Sequence, residues 1–233
     1  GAAAVGARTS LRRWVAPLTL PSAARRLRQI IAEVQPDLVQ ALRIPFEGMT
    51  AALANPPVPL LVSVWGNDFT LHAPATPWMR RLTRQTLQRL DALHTDCRRD
   101  ARLAAAWGFP SGRPVCVLPG GGGIRMEVFS PAENPPETPL VVNPRGVRAY
   151  ICNQAFFGAV SQVLEHFPDA RFICPNMAGD ASMQQLVAGL GIAGSVDLLP
   201  AQSRMEMAQL FQRCQAVVSP STHDGTPNTV LEA

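Results

Sequence analysis

Short apolar runs alternate along the chain with segments of helical periodicity, and this alternation restricts the possible fold more than any other feature. The runs have the length of strands, and short connections join them to the helical segments, which favours parallel strands with crossover helices. The clearest strand candidates are residues 58–64, 115–118, 140–142 and 171–174. The sequence therefore predicts an α/β protein whose ligands bind at the carboxyl ends of parallel strands.

A proline-rich stretch divides this pattern into two parts. Residues 131–139 contain four prolines in nine positions, and such a segment can be neither a helix interior nor a central strand. We interpret it as an extended hinge between a first domain, residues 1–130, and a second, residues 140–233. The charge also changes there: residues 1–130 carry 16 arginines and 8 acidic residues, against 5 and 9 in residues 131–233. This asymmetry predicts two units with different partners.

Several classes of protein are disfavoured by composition. The five cysteines are widely spaced without a C-x-x-C pair, and the four histidines have no metal-ligand spacing, which argues against a zinc ribbon. Cys116, Cys174 and Cys214 lie in or beside apolar runs and are interpreted as small core residues. No apolar stretch reaches the roughly 20 residues that span a bilayer, so the expected location is cytoplasmic. Nucleic acid is not an expected partner, because the arginines are not interleaved with aromatic residues.

The last fifteen residues, SPSTHDGTPNTVLEA, contain the clearest chemistry. A short apolar run leads through small residues into a predicted helix, with Thr226 suited to its N-cap and Pro227 to its first position. The free amides at the start of a helix favour a phosphate group. Asn228 and Glu232 are four residues apart, so they share one helix face. This arrangement would place one side chain near a diphosphate and the other near ribose hydroxyls.

The same stretch resembles the signature of the retaining, family-four glycosyltransferases, PS-x-x-E-G-x-P-x-x-x-x-E-A. Asp224 occupies the first acidic position, where Glu is more frequent, and Glu232 the second. The resemblance implies that Asp224 contacts the donor sugar and Glu232 the ribose, as the catalytic pair. It also implies that the sugar and the diphosphate are held by the intervening residues, Gly225, Thr226, Pro227, Asn228 and Thr229. The alternative is an ordinary capped helix with a satisfied carboxylate.

Other segments resemble the family in the same order. Trp65-Gly66-Asn67-Asp68 is similar to its H-G-x-D loop, which implies that Trp65, Asn67 and Asp68 lie on the acceptor side. For Asp68, a role as a loop-capping residue is an equal alternative. The segment Val196-Asp-Leu-Leu-Pro200 resembles the strand whose end contacts the nucleotide base, and this assigns Leu199 to the donor site.

One segment departs from the family pattern. Members usually carry G-R-x-x-x-x-K after the first strand of the second domain, with both cations facing the diphosphate. This chain has no lysine and reads Asn143-Pro-Arg145-Gly-Val-Arg148-Ala-Tyr150. We expect Arg145 and Arg148 to bind the diphosphate, with Arg148 in the role of the lysine; the alternative is that both are solvated loop residues. The glycines at 120–123 lack the setting of a phosphate-binding loop and are interpreted as a turn.

The resemblance implies the GT-B fold, with two Rossmann-like, doubly wound parallel-sheet domains that are both incomplete in this chain. It further implies transfer of a sugar from a nucleotide-diphosphate sugar to a glycan, lipid-linked or small-molecule acceptor, with retention of configuration. The resemblance implies neither cofactor nor metal, and the absence of a D-x-D motif fits a metal-independent enzyme. The alternatives are an epimerase of the same fold, or a non-catalytic remnant that binds a nucleotide sugar or carbohydrate. The chain is interpreted as a fragment whose own activity is doubtful.

A predicted helix over residues 77–90 carries several arginines. Arg80, Arg81, Arg84 and Arg89 fall largely on one side, which leaves Trp78, Leu82 and Leu87 for the core. A basic helix of this kind permits peripheral contact with anionic lipids at the inner membrane face. The alternative is an ordinary solvated helix face.

Overall fold

The computed structural model describes residues 14–119, 123–133 and 138–233. Its contacts divide the chain into unit 1, Gly1–Gly123 with His223–Thr226, and unit 2, Ile124–Thr222 with Pro227–Ala233. Residues 124–130 therefore belong to the second unit, whereas the sequence placed them in the first domain. The reason is tertiary packing, because Phe129 is buried with residues of unit 2. Residues 120–122 of the predicted glycine turn and 134–137 of the predicted hinge lie outside the described residues.

Unit 1 contains a four-stranded parallel sheet with the strand order β1-β2-β3-β4. Its regular elements are α1 (Leu20–Val34), β1 (Val39–Leu42), α2 (Met49–Ala54), β2 (Leu60–Val64), α3 (Pro77–Arg89), β3 (Ala92–Thr95), α4 (Arg98–Trp107) and β4 (Val115–Val117). A kinked turn, Ile44–Gly48, follows β1, and a short helical turn, Asp68–His72, follows β2. These two connections leave the carboxyl ends of neighbouring strands, so they lie at the same edge of the sheet.

Helix α3 shows how the core of unit 1 forms. Thr76 is its N-cap and accepts a hydrogen bond from the Met79 amide at 3.0 Å. The buried residues of the helix share one face; they are Met79, Thr83, Thr86 and Leu87. Trp78 is 37 % exposed, so its predicted place in the core is wrong. It immediately precedes Met79, which puts it about 100° away from the buried face.

Unit 2 contains a second four-stranded parallel sheet, with the order β7-β6-β5-β8. Its elements are β5 (Leu140–Val142), α5 (Asn153–His166), β6 (Arg171–Cys174), α6 (Ala181–Gly189), β7 (Val196–Leu198), α7 (Arg204–Arg213), β8 (Ala216–Val217) and α8 (Asn228–Glu232). Helices α5 and α6 share one core cluster with the sheet, whereas α7 contributes to a different one. Two separate clusters on one sheet are what a doubly wound arrangement produces.

The strand order of unit 2 reverses next to β5. From β5 the chain proceeds outward through β6 and β7, and it then returns to place β8 on the other side of β5. In open α/β sheets such a switch point forms a crevice at the carboxyl ends of the two strands, where ligands bind. The loops that follow β5 and β8 are therefore the parts of unit 2 best placed for function.

The predicted α/β class is confirmed in both units, which each have a parallel sheet with interleaved helices. The cysteine interpretation is correct for Cys174, which is fully buried, and wrong for Cys116, which is exposed. Cys214 is half-buried and packs against the core cluster that contains Phe211. Cys116 lies on β4, a strand at the edge of its sheet that has no buried residue. Among the described residues, no helix combines the length and the apolar character that crossing a bilayer requires.

Candidate functional site

The loop after β5 is held by two buried asparagine side chains. Asn143 is fully buried, and its Nδ2 donates to Asn153 Oδ1 at 3.0 Å. Asn153 Nδ2 donates in turn to the carbonyl of Gly146 at 2.9 Å, and Asn143 Oδ1 accepts from the Arg145 amide at 3.2 Å. A satisfied buried network of this kind gives the loop one conformation.

Gly146 completes this loop and requires glycine for two reasons. Its φ is +64°, in the left-handed region. A Cβ at this position would lie 2.9 Å from Asn176 Nδ2, in the loop after β6. The same Cβ would lie 3.4 Å from the Asn176 carbonyl oxygen, so the loops that follow β5 and β6 are in contact.

Two of the predicted donor-site residues are in direct contact. Arg145 Nη1 donates a hydrogen bond to Thr229 Oγ1 at 3.2 Å. Arg145 follows β5, and Thr229 belongs to α8, which follows β8, so the contact joins the two loops at the switch point. Arg148, expected in the role of the family's lysine, is exposed and its Nη1 donates to the Tyr150 hydroxyl at 3.0 Å. Of the two arginines, it is Arg145 that contacts the terminal motif.

The helix of the terminal motif begins one residue later than predicted. Pro227 is the N-cap of α8, and its carbonyl accepts from the Val230 amide at 3.0 Å. Thr226 does not cap this helix because its polar groups are engaged elsewhere. Its amide donates to Asp96 Oδ2 and its hydroxyl to the Asp96 carbonyl, both at 3.0 Å.

The segment His223–Thr226 belongs to unit 1 by its contacts, and two residues missed by the sequence analysis hold it there. One is Asp96, and the other is Arg99, whose Nη1 donates to the Asp224 carbonyl. Arg99 Nη2 also donates to the Gly66 carbonyl at 2.8 Å. Asp96 directly follows β3, and Arg99 lies in the first turn of α4, so their position near the carboxyl end of a parallel strand was the available signal. Glu232 is half-buried and belongs to unit 2.

Leu199 lies where the base-contacting strand was predicted to end. Its amide donates to the Cys174 carbonyl at 3.0 Å, and its carbonyl accepts from the amides of Met177 and Ala178 at 3.0 and 2.9 Å. The end of β7 is thereby joined to the loop after β6. The half-buried Leu199 is thus fixed at the carboxyl edge of the sheet of unit 2.

Asp68, predicted on the acceptor side, connects the ends of β1 and β2. It is 1 % exposed, and its Oδ2 accepts from the amides of Ile44 and Trp65 at 2.9 and 3.1 Å. Oδ1 lies 3.5 Å from Arg43 Nε. Burial raises the pKa of Asp68 to about 6, although both amides and Arg43 act to lower it. This geometry matches the loop-capping alternative, because the carboxylate faces the protein interior.

The other two predicted acceptor-side residues surround an arginine that the sequence analysis missed. Trp65 is 54 % exposed, with Arg43 Cζ 5.4 Å from its ring centroid. Asn67 Oδ1 accepts from Arg43 Nη2 at 3.3 Å. Arg43 is the residue that follows β1, and its place at a strand end was again the only signal.

One group of side chains has the composition of a metal site. Ligand atoms of Asp96, Cys97 and Asp100 lie within 4.8 Å of one another. Burial raises the pKa of the Cys97 thiol and of the Asp100 carboxyl, which disfavours the anionic forms that bind metals. Asp100 is also paired with Arg99 at 2.8 Å. These residues therefore form a structural cluster at the start of α4.

The model of the glycosyl transferase 4-like domain matches residues 1–121. No curated protein is significantly similar to the chain in sequence. Among solved structures, the chain is similar to a sucrose-phosphate synthase from Thermosynechococcus elongatus (TM-score 0.73, 13 % identity, 92 % of this chain and 57 % of that one). It is also similar to the lipopolysaccharide outer core galactosyltransferase WaaB in its apo form, with a TM-score of 0.71, 15 % identity and coverage of 94 % of this chain and 59 % of that one. A third similar structure is Anabaena HepE in complex with UDP-glucose, with a TM-score of 0.67, 14 % identity and coverage of 90 % of this chain and 60 % of that one.

At such identities the structural likeness shows the fold alone, and the chain spans between 57 % and 60 % of the length of these three proteins. The family model covers more than half of the 233 residues, and it matches the half that does not contain the terminal motif. The two parallel sheets with their interleaved helices agree with it. The chain belongs to the glycosyl transferase 4-like family and has the GT-B fold.

Proposed function

We propose that this chain is part of a retaining glycosyltransferase that uses a nucleotide-diphosphate sugar. In the reaction, the bond from the anomeric carbon to the diphosphate oxygen breaks, and an acceptor hydroxyl oxygen forms a bond to the same face of that carbon. The acceptor proton is released, and the nucleoside diphosphate leaves with the electron pair.

The contact between Arg145 and Thr229 carries this proposal. It places a guanidinium at the switch point of unit 2, next to the helix that contains Glu232. A guanidinium pairs with phosphate in a fixed geometry and stays charged at any physiological pH. A cation held in place before the reaction stabilises the negative charge that develops on a departing diphosphate.

The remaining roles follow the family likeness. We assign the ribose to Glu232, the transferred sugar to Asp224 and the nucleotide base to the region of Leu199. Gly225–Thr229 would contact the sugar and the diphosphate, with Arg148 as a second cation near the phosphates. The complex of HepE with UDP-glucose makes a uridine nucleotide the first donor to test. We propose that the reaction needs neither metal nor cofactor and that it takes place in the cytoplasm.

The direct test is a screen of nucleotide sugars with the full-length protein, in which released nucleoside diphosphate and the product's anomeric configuration are measured. Release of nucleotide with a retained configuration supports the proposal, and an inverted product refutes the retaining mechanism. Conversion of the sugar while it remains attached to the nucleotide would indicate an epimerase. Binding without turnover of any donor would indicate a non-catalytic remnant.

The assignment of Glu232 can be tested separately with Glu232→Ala. Hydrogen bonds to a charged group contribute about 1.5–3 kcal/mol, so the affinity for the donor should fall about 10- to 150-fold. Glu165→Ala is the matched control, because Glu165 is exposed on α5 and has no partner among the described residues. Equal donor affinities for both variants would remove Glu232 from the site.

We also propose that α3 gives unit 1 a peripheral contact with anionic membranes. The helix has four arginines and no acidic residue. The charged face is smaller than the sequence indicated, because Arg84 stacks on Trp107 at 5.5 Å and Arg89 donates to the Ala52 carbonyl at 3.0 Å. Arg80 and Arg81 are exposed without a partner among the described residues. Each cation near an anionic surface contributes about 1 kcal/mol.

Co-sedimentation with vesicles tests this contact. The full-length protein should bind vesicles that contain phosphatidylserine, should bind neutral vesicles less, and should lose binding as salt increases. Replacing both Arg80 and Arg81 with Gln should weaken binding more than Arg102→Gln, a control on the exposed face of α4. Binding that ignores lipid charge would refute the proposal.

A further inference from the structure

Arg43 marks an abrupt change of backbone direction at the end of β1. Its amide donates to the Ser63 carbonyl at 2.8 Å, which continues the pairing with β2, and its carbonyl accepts from the Gly48 amide at 2.9 Å. Between these bonds its φ is +111°, a value that residues with a side chain seldom adopt. Such a conformation persists only where the surroundings impose it, and it is concentrated at functional sites.

The guanidinium of Arg43 is held on three sides. Its Nη2 donates to Asn67 Oδ1 at 3.3 Å and lies 3.2 Å from His72 Nε2. Its Nε lies 3.5 Å from Asp68 Oδ1, and its Cζ lies 5.4 Å from the Trp65 ring centroid. A side chain fixed in this way loses little further entropy when it binds a ligand.

One nitrogen of the guanidinium, Nη1, remains available to bind a ligand. Nη1 has no hydrogen-bond partner among the described residues, and the Arg43 side chain keeps 27 % of its surface exposed. By contrast, Oδ2 of Asp68 already accepts two backbone hydrogen bonds, and the side chain of Asp68 is fully buried. Of these two charged groups, only Arg43 can reach a ligand without a rearrangement.

We propose that Arg43 is a specificity residue of the acceptor site and that its Nη1 binds an oxyanion, a phosphate or carboxylate, on the acceptor. Asp68 acts as a positioning residue that orients the guanidinium. The term acceptor rests on the proposed transferase function, whereas the oxyanion site rests on the geometry of unit 1 alone.

Charge favours an oxyanion over a neutral hydroxyl. Guanidinium groups form their shortest and strongest hydrogen bonds with phosphate and carboxylate oxygens. Residues 1–130 also have 16 arginines against 8 acidic residues, and such an excess attracts anionic ligands to the surface. Arg43 contacts Trp65 and Asn67, which were predicted on the acceptor side, so we assign this anion site to the acceptor.

The test follows the indole N–H resonance of Trp65 in the ¹⁵N-labelled full-length protein, assigned with Trp65→Phe. Inorganic phosphate is added at constant ionic strength, and acetate is added in a parallel titration that separates phosphate from carboxylate preference. We expect a saturable shift of this resonance, from which the affinity for the anion is obtained. This affinity should be at least tenfold weaker in Arg43→Gln and unchanged in Arg102→Gln. Arg102 is exposed on α4 and has no partner among the described residues, so this control removes an equal charge from unit 1.

Arg43→Lys keeps the charge and tests the geometry. We expect its phosphate affinity to lie between those of the wild type and Arg43→Gln, since lysine cannot make the same fixed contacts. The absence of saturation with both anions, an equal loss in Arg102→Gln, or wild-type affinity in Arg43→Lys would each overturn the proposal. Donor-nucleotide binding measured on the same samples separates this result from the transferase proposal. If the Trp65 resonance does not shift with either anion but UDP still binds, only the oxyanion site is refuted. If the resonance shifts but UDP does not bind, only the donor site is refuted.

Discussion

Burial of Asp68 should make the stability of unit 1 depend on pH, and Asp68→Asn isolates this effect. Desolvation raises the pKa of Asp68 from 3.8 to about 6 in the folded chain. An acid with a raised folded pKa favours the folded state below its unfolded pKa, and it loses that contribution as pH rises through the folded value. At about 1.4 kcal/mol for each pKa unit, the shift corresponds to about 3 kcal/mol, lost between about pH 4 and pH 6.

Asparagine has the shape of the protonated acid and cannot ionise, so Asp68→Asn should not show this loss. The measured quantity is the difference in the free energy of unfolding between the two proteins, obtained from urea unfolding at a series of pH values. We expect the difference to change by about 3 kcal/mol in favour of the asparagine variant as pH rises from 4 to 7. Other titrating groups cancel in this difference because both proteins contain them.

Tryptophan fluorescence makes the measurement specific to unit 1. All four tryptophans belong to that unit; they are Trp14, Trp65, Trp78 and Trp107. Asp37→Asn controls for the loss of one negative charge, since Asp37 is exposed and has no partner among the described residues. A difference between wild type and Asp68→Asn that stays constant within about 0.5 kcal/mol over this pH range would refute the argument from burial.

Three further predictions address packing, donor binding and metal dependence. Gly48→Ala should lower the free energy of unfolding by about 1–3 kcal/mol, because a Cβ would lie 2.8 Å from the Arg43 carbonyl oxygen. The control is Gly158→Ala on α5, which should be neutral or stabilising because a Cβ there meets nothing within 4 Å. Arg145→Gln should weaken UDP binding, measured by calorimetry, by about tenfold or more, and this loss should be larger than that in Arg148→Gln. Equal losses in the two variants would contradict the assignment of Arg145 to the diphosphate. Transfer by the full-length protein should be unchanged by EDTA, and activity that EDTA abolishes and Mg²⁺ or Mn²⁺ restores would refute a metal-free mechanism.

The sequence was sufficient for the features that depend on local pattern. Strand-length apolar runs became the parallel strands. Ser203 and Glu206, which have the S-x-x-E spacing, form a capping box at the start of α7 with hydrogen bonds of 2.6 and 3.3 Å. Arg145 and Thr229, which are 84 positions apart, are in contact, while their assignment to the donor site stays a prediction. Periodicity and motif spacing carry such information because they arise from neighbouring residues on one element.

Features that depend on long-range packing could not be predicted. Residues 124–130 belong to unit 2 because Phe129 packs against Phe211, with ring centroids 6.2 Å apart, and no local pattern reveals this partner. Arg43 was missed because its importance comes from a positive φ and from contacts with residues 22 to 29 positions later. The hydrogen bond from the Ile44 amide to Asp68, 24 positions later, likewise has no local signal in the sequence.

The pair of Asp68 and Arg43 leads to one last prediction, in which stability and binding change in opposite directions. The ionised Asp68 is unfavourable in the folded chain at neutral pH, yet it lies 3.5 Å from Arg43 Nε and holds the loops at the ends of β1 and β2. Functional sites often retain groups that lower stability because they orient a ligand-binding side chain. Asp68→Asn should therefore be the more stable protein at neutral pH but should bind phosphate at Arg43 less well, since the amide offers a donor to Nε in place of a carboxylate oxygen. Urea unfolding and the Trp65 titration on the same sample measure both effects. A variant that gains stability and keeps full phosphate affinity would show that Asp68 does not position Arg43, and one that loses both would show that its role is purely structural.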